Sequence, residues 1–262
     1  MKNVIDASVQ RYDNHAWSLA SESIAAETLV NLFVNEQHVS TLLASPEHLE
    51  ELIIGHMATE YGFRPLDTDS VRQSSDSEGF SATLQTNRST DFQSRSAIVT
   101  SSCGACDQSN LSSLIAKTPF VQSPERPLVF DEIVASLHEM RPHQKGFEAT
   151  GGMHAAGLLI GGTSHMLVME DIGRHNAVDK VYGSWSKGSH PKPMALLLSG
   201  RCGWDIVAKA ASMGTPVIAS YGAASTLAAE TARAANITLI SFVRDGKAVV
   251  IGPVEGRFER KH

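Results

Sequence analysis

Apolar residues recur along this chain in two rhythms, and the points where the rhythm changes mark out its elements. The runs Thr28-Leu29-Val30-Asn31-Leu32-Phe33-Val34 and His38-Val39-Ser40-Thr41-Leu42-Leu43 flank Asn35-Glu36-Gln37, which predicts an opening hairpin with a short turn. Ser45-Pro46 then offers an N-cap and a proline for the first helical turn. Leu49, Leu52, Ile53, His56 and Met57 follow at helical spacing until Tyr61-Gly62 ends the run. Two extended runs between Val71 and Gln85 flank Asp76-Ser77-Glu78-Gly79 as a second hairpin, and Asn87 to Gln93 carries no periodicity. Ile98-Val99 reads as the end of a strand that delivers a polar loop, continued through Ser109 to Ser113. Phe130 to Met140 has apolar residues at i, i+3, i+4 and i+7 and an aspartate cap, so a helix is expected to close before Pro142.

From Thr150 onward strands and helices alternate. Ala155 to Ile160, Met166 to Met169, Ala195 to Leu198, Val217 to Ser220, Thr238 to Val243 and Ala248 to Ile251 read as strands, the last two around Asp245-Gly246. Asn176 to Trp185, Asp205 to Met213 and Ser225 to Ala235 read as helices. Such alternation predicts an α/β unit with a mostly parallel sheet and flanking helices. A smaller α+β portion precedes it, and the boundary is drawn between 1–129 and 130–262.

Composition narrows the class. Of 262 residues 42% are hydrophobic and 19% charged, which suits a globular protein with one large or two modest cores. No run approaches the roughly 18 to 20 apolar residues of a membrane span. Met1-Lys2-Asn3-Val4-Ile5-Asp6 lacks the apolar centre of a signal peptide, so the cytoplasm is the expected compartment and no membrane partner is expected. A formal net charge of -6 argues against a nonspecific nucleic-acid surface, while local basic residues could hold a small anion. Three cysteines do not make a disulfide framework.

Two of them, Cys103 and Cys106, stand in Thr100-Ser101-Ser102-Cys103-Gly104-Ala105-Cys106-Asp107. At C-x-x-C spacing two sulfurs can share a metal, form a disulfide or pass a sulfur atom between them, and the thiolate is the reactive form in each case. Buried apolar cysteines are common, but they rarely sit among Ser, Thr, Gly, Asp, Gln and Asn. Three further motifs fall at predicted strand boundaries, where open α/β sheets bind ligands. Glu170-Asp171-Ile172-Gly173-Arg174-His175-Asn176 puts acids, an arginine and a histidine at a helix start; a plain capped helix with an Asp171–Arg174 ion pair is the structural alternative. Ser199-Gly200-Arg201 adds a glycine for close backbone approach and an arginine that can grip phosphate through two hydrogen bonds. Gly151-Gly152-Met153-His154 releases the backbone before a histidine enters a strand. Neither a Walker loop nor a G-x-G-x-x-G fingerprint occurs. Gly152, His154, Asp171, Arg174, His175, Asn176 and Arg201 are therefore the candidate anion-binding set, with Glu170 or Asp171 a candidate acceptor for a base edge.

In this order, Ser101 to Cys106, Thr150 to Ala156, Glu170 to Lys180, Ser199 to Arg201 and Ile237 to Arg244 resemble the FdhD family of accessory sulfurtransferases for formate dehydrogenase. The resemblance covers most of the chain. It implies that a cysteine desulfurase loads sulfur as a persulfide on Cys103, assisted by Cys106. The sulfur then goes to the molybdenum or tungsten of a bis-molybdopterin guanine dinucleotide cofactor destined for the formate dehydrogenase catalytic subunit. It also implies a cytidine-deaminase-like C-terminal fold, a homodimer, and a cofactor segment at Phe242, Val243, Arg244, Asp245, Gly246 and Lys247, with GDP as a soluble analogue. A zinc deaminase would need H-x-E followed downstream by P-C-x-x-C, whereas His154 precedes Ala155-Ala156 and the cysteine pair lies upstream. One C-x-x-C supplies only two of the four ligands of a structural zinc site, so no metal of the protein's own is expected. A cofactor-holding chaperone that ignores the thiols is the remaining alternative.

Overall fold

The computed structural model describes residues 3–77, 79–90, 92, 98–99, 111–161, 166–244 and 246–259. Cys103, Cys106 and Asp245 lie outside the described residues. The chain opens with strands the hydrophobic pattern did not announce, β1 (Val4–Asp13) and β2 (Ala16–Ala25), an antiparallel pair forming a sheet of its own. Their alternation is broken by outward-facing apolar residues, so no single face reads as core.

The expected hairpin follows as β3 (Thr28–Val34) and β4 (Gln37–Ala44), with Asn35 at a φ of 53° in the turn. Asparagine tolerates that left-handed conformation, and its side chain clasps Thr86 with hydrogen bonds of 2.9 and 3.1 Å. Helix α1 (Leu49–Tyr61) starts later than the proline suggested, at His48, which has a φ of 57° and no side-chain cap. Ser45 is used elsewhere, as described below. Strands β5 (Ser70–Ser75) and β6 (Phe80–Gln85) form the second expected hairpin, and β7 (Ile98–Val99) pairs parallel to β4. The sheet order is β5-β6-β3-β4-β7, and α1 covers it through Leu52, Ile53 and Met57 against Val30, Leu32, Leu42 and Leu84. The polar loop expected through Ser113 instead gives way to helix α2 (Leu111–Lys117), whose Leu114 is buried.

Helix α3 (Phe130–Glu139) begins at Val129 without a side-chain cap. Asp131 lies inside the first turn, where it complements the helix dipole rather than capping it. A short helix the pattern missed, α4 (Lys145–Thr150), ends on Gly151 at a φ of 66°. The elements β8 (His154–Ile160), β9 (Met166–Asp171), α5 (Arg174–Lys187), β10 (Pro193–Leu198), α6 (Trp204–Ser212), β11 (Val217–Ser220), α7 (Thr226–Ala234), β12 (Thr238–Arg244) and β13 (Lys247–Ile251) complete the fold. Ser225 caps α7 by accepting from Ala228 N at 3.1 Å.

The second large sheet runs β13-β12-β11-β10-β8-β9. The expected mostly parallel sheet is mixed: β10, β11 and β12 pair parallel, while β8, β9 and β13 join antiparallel to their neighbours. The difference lies at the flanks, where the sequence neighbours β8 and β9, and β12 and β13, pair antiparallel. Helices α5, α6 and α7 bury Val181, Val207 and Ala232 against Leu158, Leu196, Ile218 and Leu239 on one face. Helix α3 and Phe258 cover Ala155, Leu197, Ala219 and Ile240 on the other.

The two lobes meet chiefly where α1 crosses α5. At Gly55 an added Cβ would lie 1.7 Å from Asp179 O, and at Gly183 another would lie 1.9 Å from Glu51 O. Glycine on each helix is what lets the backbones touch. Val121 and Leu128, ahead of the expected boundary at 129, pair with Ala235 and Arg257 of the C-terminal lobe.

Candidate functional site

Because β8 runs antiparallel to β9 and β10, its first residue lies at the sheet edge where those strands end. His154 stands opposite Asp171, and Ala156 opposite Leu198. The loops after β9, β10, β11 and β12 therefore line one edge. Ser199 Oγ accepts from Ala155 N at 2.9 Å, Gly200 O accepts from Gly222 N at 3.2 Å, and Gly222 O accepts from Phe242 N at 3.2 Å. These bonds fix the spacing of the loops. A Cβ on Gly200 would come 3.1 Å from His154 Nδ1, so glycine lets the ring sit against the loop. Helices α5 and α6 also begin at this edge, from Gly173 and Gly203, and neither has a side-chain cap. Their first-turn N–H groups are thus available to an anion.

His154 is half-buried, and burial is the main cause that lowers its pKa, followed by the charges of Arg174 and Arg201, with Asp171 opposing. Burial and the two guanidinium charges thus disfavour the protonated imidazole. Arg174 is partly exposed, with Nη2 4.0 Å from Asp205 Oδ2. His175 Nε2 also contacts that carboxylate. His175 is pulled down to about 4, by burial first and then by Arg174 and Lys209, against the pull of Asp205. Arg201 is exposed. Next to it Cys202 is buried, and burial together with Asp205 pushes its thiol up, which keeps it inert.

The segment after β12 adds an unusual backbone. Phe242 has a φ of 53° yet a side chain 47% exposed, and the β12–β13 register breaks between Ser241 and Arg244. A non-glycine residue in that conformation costs on the order of 1–3 kcal/mol and is characteristic of ligand clamps. Arg244 and Lys247 are exposed, Gly246 turns the chain at a φ of 73°, and Val243 points into the core. Phe242, Arg244 and Lys247 are thus the exposed part of the expected segment.

The motif from Glu170 to Lys180 divides into two roles. Arg174 is partly exposed, while Asp171 and the run from His175 to Lys180 are buried. Asp171 is fully buried and accepts from Lys180 Nζ at 2.6 Å, Gly173 N at 2.8 Å, Asn176 Nδ2 at 3.0 Å and Ser45 N at 3.1 Å. Its ion pair is with Lys180, not Arg174. Asn176 also donates to Leu43 O at 2.7 Å, Lys180 to Ser45 O at 3.1 Å, and Ser45 Oγ accepts from Ile172 N at 3.0 Å. Ser45, read as a helix cap, is a fastener between the lobes. Glu170 accepts from Gly146 N and Phe147 N at 2.7 and 2.8 Å, which occupies the carboxylate with the start of α4. Asp171 is thereby closed off from a base edge, and each oxygen of Glu170 already holds one backbone donor. Gly152 donates to Thr150 Oγ1 at 3.1 Å and lies against Ala25 of β2.

A second buried network went unread in the sequence. Asp179 accepts from Lys209 Nζ and Thr59 Oγ1, both at 2.7 Å, and faces His56 Nδ1 at 3.2 Å, while Lys209 pairs with Glu60 at 2.6 Å. The available signal was an Asp-Lys pair inside the otherwise apolar Ala177 to Tyr182 stretch. The cysteine segment lies outside the described residues, but its flanks do not: β7 is anchored to the N-terminal sheet, and α2 packs against α7. Among the described residues no three His, Cys, Asp or Glu side chains cluster to hold a metal ion, and no helix is long and apolar enough to cross a membrane. The edge thus gathers three exposed cations, two uncapped helix starts and an exposed ring.

The model of the FdhD/NarQ family matches residues 25–255. The sulfur carrier protein FdhD of Sulfolobus acidocaldarius is 33% identical over 230 residues, 86% of this chain and 87% of that one. Its counterpart in Listeria innocua is 31% identical over 256 residues, covering 94% of this chain and 96% of the relative. A crystal structure from Desulfotalea psychrophila, assigned as a formate dehydrogenase accessory protein, superposes with a TM-score of 0.75 over 98% of this chain and 100% of that one, at 22% identity. That likeness establishes a shared fold.

Proposed function

The chain belongs to the FdhD/NarQ family, and from that premise we propose that it is a sulfur carrier serving formate dehydrogenase. Cys103 is the carrier. Its thiolate attacks the outer sulfur of a persulfide on a cysteine desulfurase; the donor S–S bond breaks and the desulfurase leaves as its thiolate. Only once the recipient is bound does the Cys106 thiolate attack the Cys103 sulfur, forming a disulfide and releasing hydrosulfide, the two electrons coming from the two protein sulfurs. A cellular dithiol resets the pair. The recipient is the molybdenum or tungsten bis-molybdopterin guanine dinucleotide cofactor, bound as substrate at the sheet edge before it passes to the formate dehydrogenase catalytic subunit.

The observation that carries the binding half of this reading is that the loops bearing Arg174, Arg201 and Phe242 meet at the end of the sheet where His154 lies. Phosphate oxygens there meet charge-assisted donors and helix N-termini together. Phe242, on its strained backbone, offers a face on which a guanine can stack. A chaperone that only held the cofactor would use the same edge, so the thiols decide between the two readings.

The deciding measurement is intact-mass spectrometry after incubation with a cysteine desulfurase and cysteine. Wild type is expected to gain one sulfur atom that is lost in Cys103→Ser and kept in Cys106→Ser. Sulfur retained in Cys103→Ser and lost in Cys106→Ser reverses the roles. Full activation of a formate dehydrogenase by Cys103→Ala leaves only the chaperone.

A further inference from the structure

Strand β13 is the outer strand of the six-stranded sheet. It pairs antiparallel with β12, placing Ile251 opposite Leu239, Val250 opposite Ile240 and Val249 opposite Ser241, and among the described residues no strand lies beyond it. Every second residue of such a strand turns its N–H and C=O outward, a template for a further strand. In the two large sheets the other outer strands are guarded or short. β5 presents Ser70, Arg72, Gln73, Ser74 and Ser75 to solvent, β7 has two residues, and β9 is half-buried with Glu170 held by the backbone of α4. From Ala248 to Ile251, by contrast, β13 carries no charge, no proline and three β-branched residues, the composition of a strand that pairs readily.

The register sorts its side chains. Ala248 packs with the cluster under α3, and Ile251 with the cluster under α5, α6 and α7. Val249 and Val250 face opposite sides of the sheet and stay 49% and 36% exposed, and Val254, just past the strand, is 51% exposed. With Phe242 these make four of the eleven large apolar residues exposed among those described, all on one hairpin and its tail. Apolar surface gathered beside open backbone marks an interaction site. Arg244 and Lys247, opposite each other, put two exposed cations at the hairpin end.

We infer that β13 is the docking edge for the formate dehydrogenase catalytic subunit, which adds to the sheet an extended aliphatic segment with an acidic residue beside Arg244 and Lys247. The choice of partner rests on the sulfur-carrier reading; the open edge does not. Continuity with the ligand edge selects this partner. β12 and β13 form the hairpin that bears Phe242, Arg244 and Lys247, so a strand laid along β13 begins beside the groups proposed to hold the cofactor, where the recipient must come. A desulfurase must instead reach Cys103, whose flanking strand β7 belongs to the other sheet. Added strands draw affinity from main-chain hydrogen bonds and selectivity from side chains on alternate faces. The five residues of β13, at about 3.4 Å each, give roughly 17 Å of edge, and a valine on each face supplies contacts above and below it. A formal net charge of -6 and an apolar strand do not suit a nucleic acid.

Biolayer interferometry tests this, with the cofactor-free formate dehydrogenase catalytic subunit of the same organism on the sensor and the full chain in solution. Wild type is expected to bind. Val249→Lys with Val250→Lys guards the edge as natural edge strands are guarded, and should bind at least about tenfold more weakly while its GDP affinity and its gain of sulfur on Cys103 match wild type. In hydrogen exchange the subunit should slow the amides of β13 and leave those of β5 unchanged. Equal affinity of the double variant, or unchanged exchange along β13, overturns the inference. So does self-association that the double variant abolishes, since the edge would then belong to a second copy. A wild type that binds no subunit overturns it too, and sulfur loading with GDP binding in the same preparation shows whether the carrier reading falls with it. If the lysines prevent folding, Val249→Thr with Val250→Thr keeps the β-branched shape and must still weaken binding roughly tenfold; an unchanged constant overturns the docking edge.

Discussion

Burial first, and then the charges of Arg174 and Arg201, make a proton on His154 unwelcome, and that cost can be read in solution. A histidine whose folded pKa lies below its unfolded value binds its proton more weakly when folded. It therefore withdraws stability as pH falls below about 6.5, the unfolded value. Arg201→Ala should let the His154 pKa climb back towards that value, measured by imidazole proton shifts in a pH titration; no upward movement would place the guanidinium away from the ring. The same substitution should weaken GDP. Losing one charge-assisted hydrogen bond costs about 1.5–3 kcal/mol, roughly ten- to a hundredfold in affinity. Calorimetry with GDP and ADP on wild type, Arg174→Ala and Arg244→Ala should show a preference for guanine and a loss in at least one variant. Equal binding of both nucleotides, or affinity untouched by either change, would put the ligand elsewhere.

At the scale of elements, the alternation after Thr150 was legible because buried strands and amphipathic helices each leave a periodicity. All six strands and three helices read there are present. What was not legible depends on partners distant in sequence. Ser45 looks like a helix cap in isolation and becomes a fastener only because Asp171 and Ile172 arrive beside it. Asp171 and Asn176 look like ligand groups until Lys180, Leu43 and Ser45 take their hydrogen bonds. The β1–β2 arm carries its apolar residues outward, so the rule that marks a core strand passes over it. Gly55 and Gly183 gave no signal either, since each is simply a weak residue within a helix, at a cost of roughly 0.5–1 kcal/mol against alanine. The crossing of α1 over α5 explains them. Gly55→Ala should destabilise the protein despite its better helix propensity, by about 1–3 kcal/mol or more, the usual cost of overpacking. Urea denaturation reads it, and a variant as stable as wild type would mean the helices do not touch there.

For the whole molecule, the junction between the lobes concentrates the buried charge, which makes acid the agent that should part them. Burial alone would raise the Asp179 carboxyl, but Lys209 and His56 outweigh it and hold it at about 2, against an ordinary 3.8. Glu51 on α1 is held at about 2, against 4.5, by a hydrogen bond from His48 and by Lys187 of α5. Glu60 is lowered too, as the charges of Lys209 and His56 overcome its burial. All three shifts have one sign: the folded carboxyls bind protons more weakly than the unfolded ones. Their stabilisation is therefore complete above the ordinary carboxylate range and drains away as pH falls from about 4.5 towards 2. Protonating Asp179 would also leave the Lys209 ammonium, which is 1% exposed, short of countercharge, and breaking a buried pair from one side costs about 3–5 kcal/mol. The lobes' own apolar clusters are built from Leu32, Ile53 and Leu84 in one and from Leu158, Leu196 and Ile218 in the other. Hydrogen exchange followed by mass spectrometry should thus show the amides of α1 and α5 losing protection over that pH window while β10 and β11 keep theirs. Glu51→Gln should flatten part of the slope. Simultaneous loss across α1, α5, β10 and β11, or protection of α1 that does not change with pH, would show that the buried charges are not what joins the two lobes.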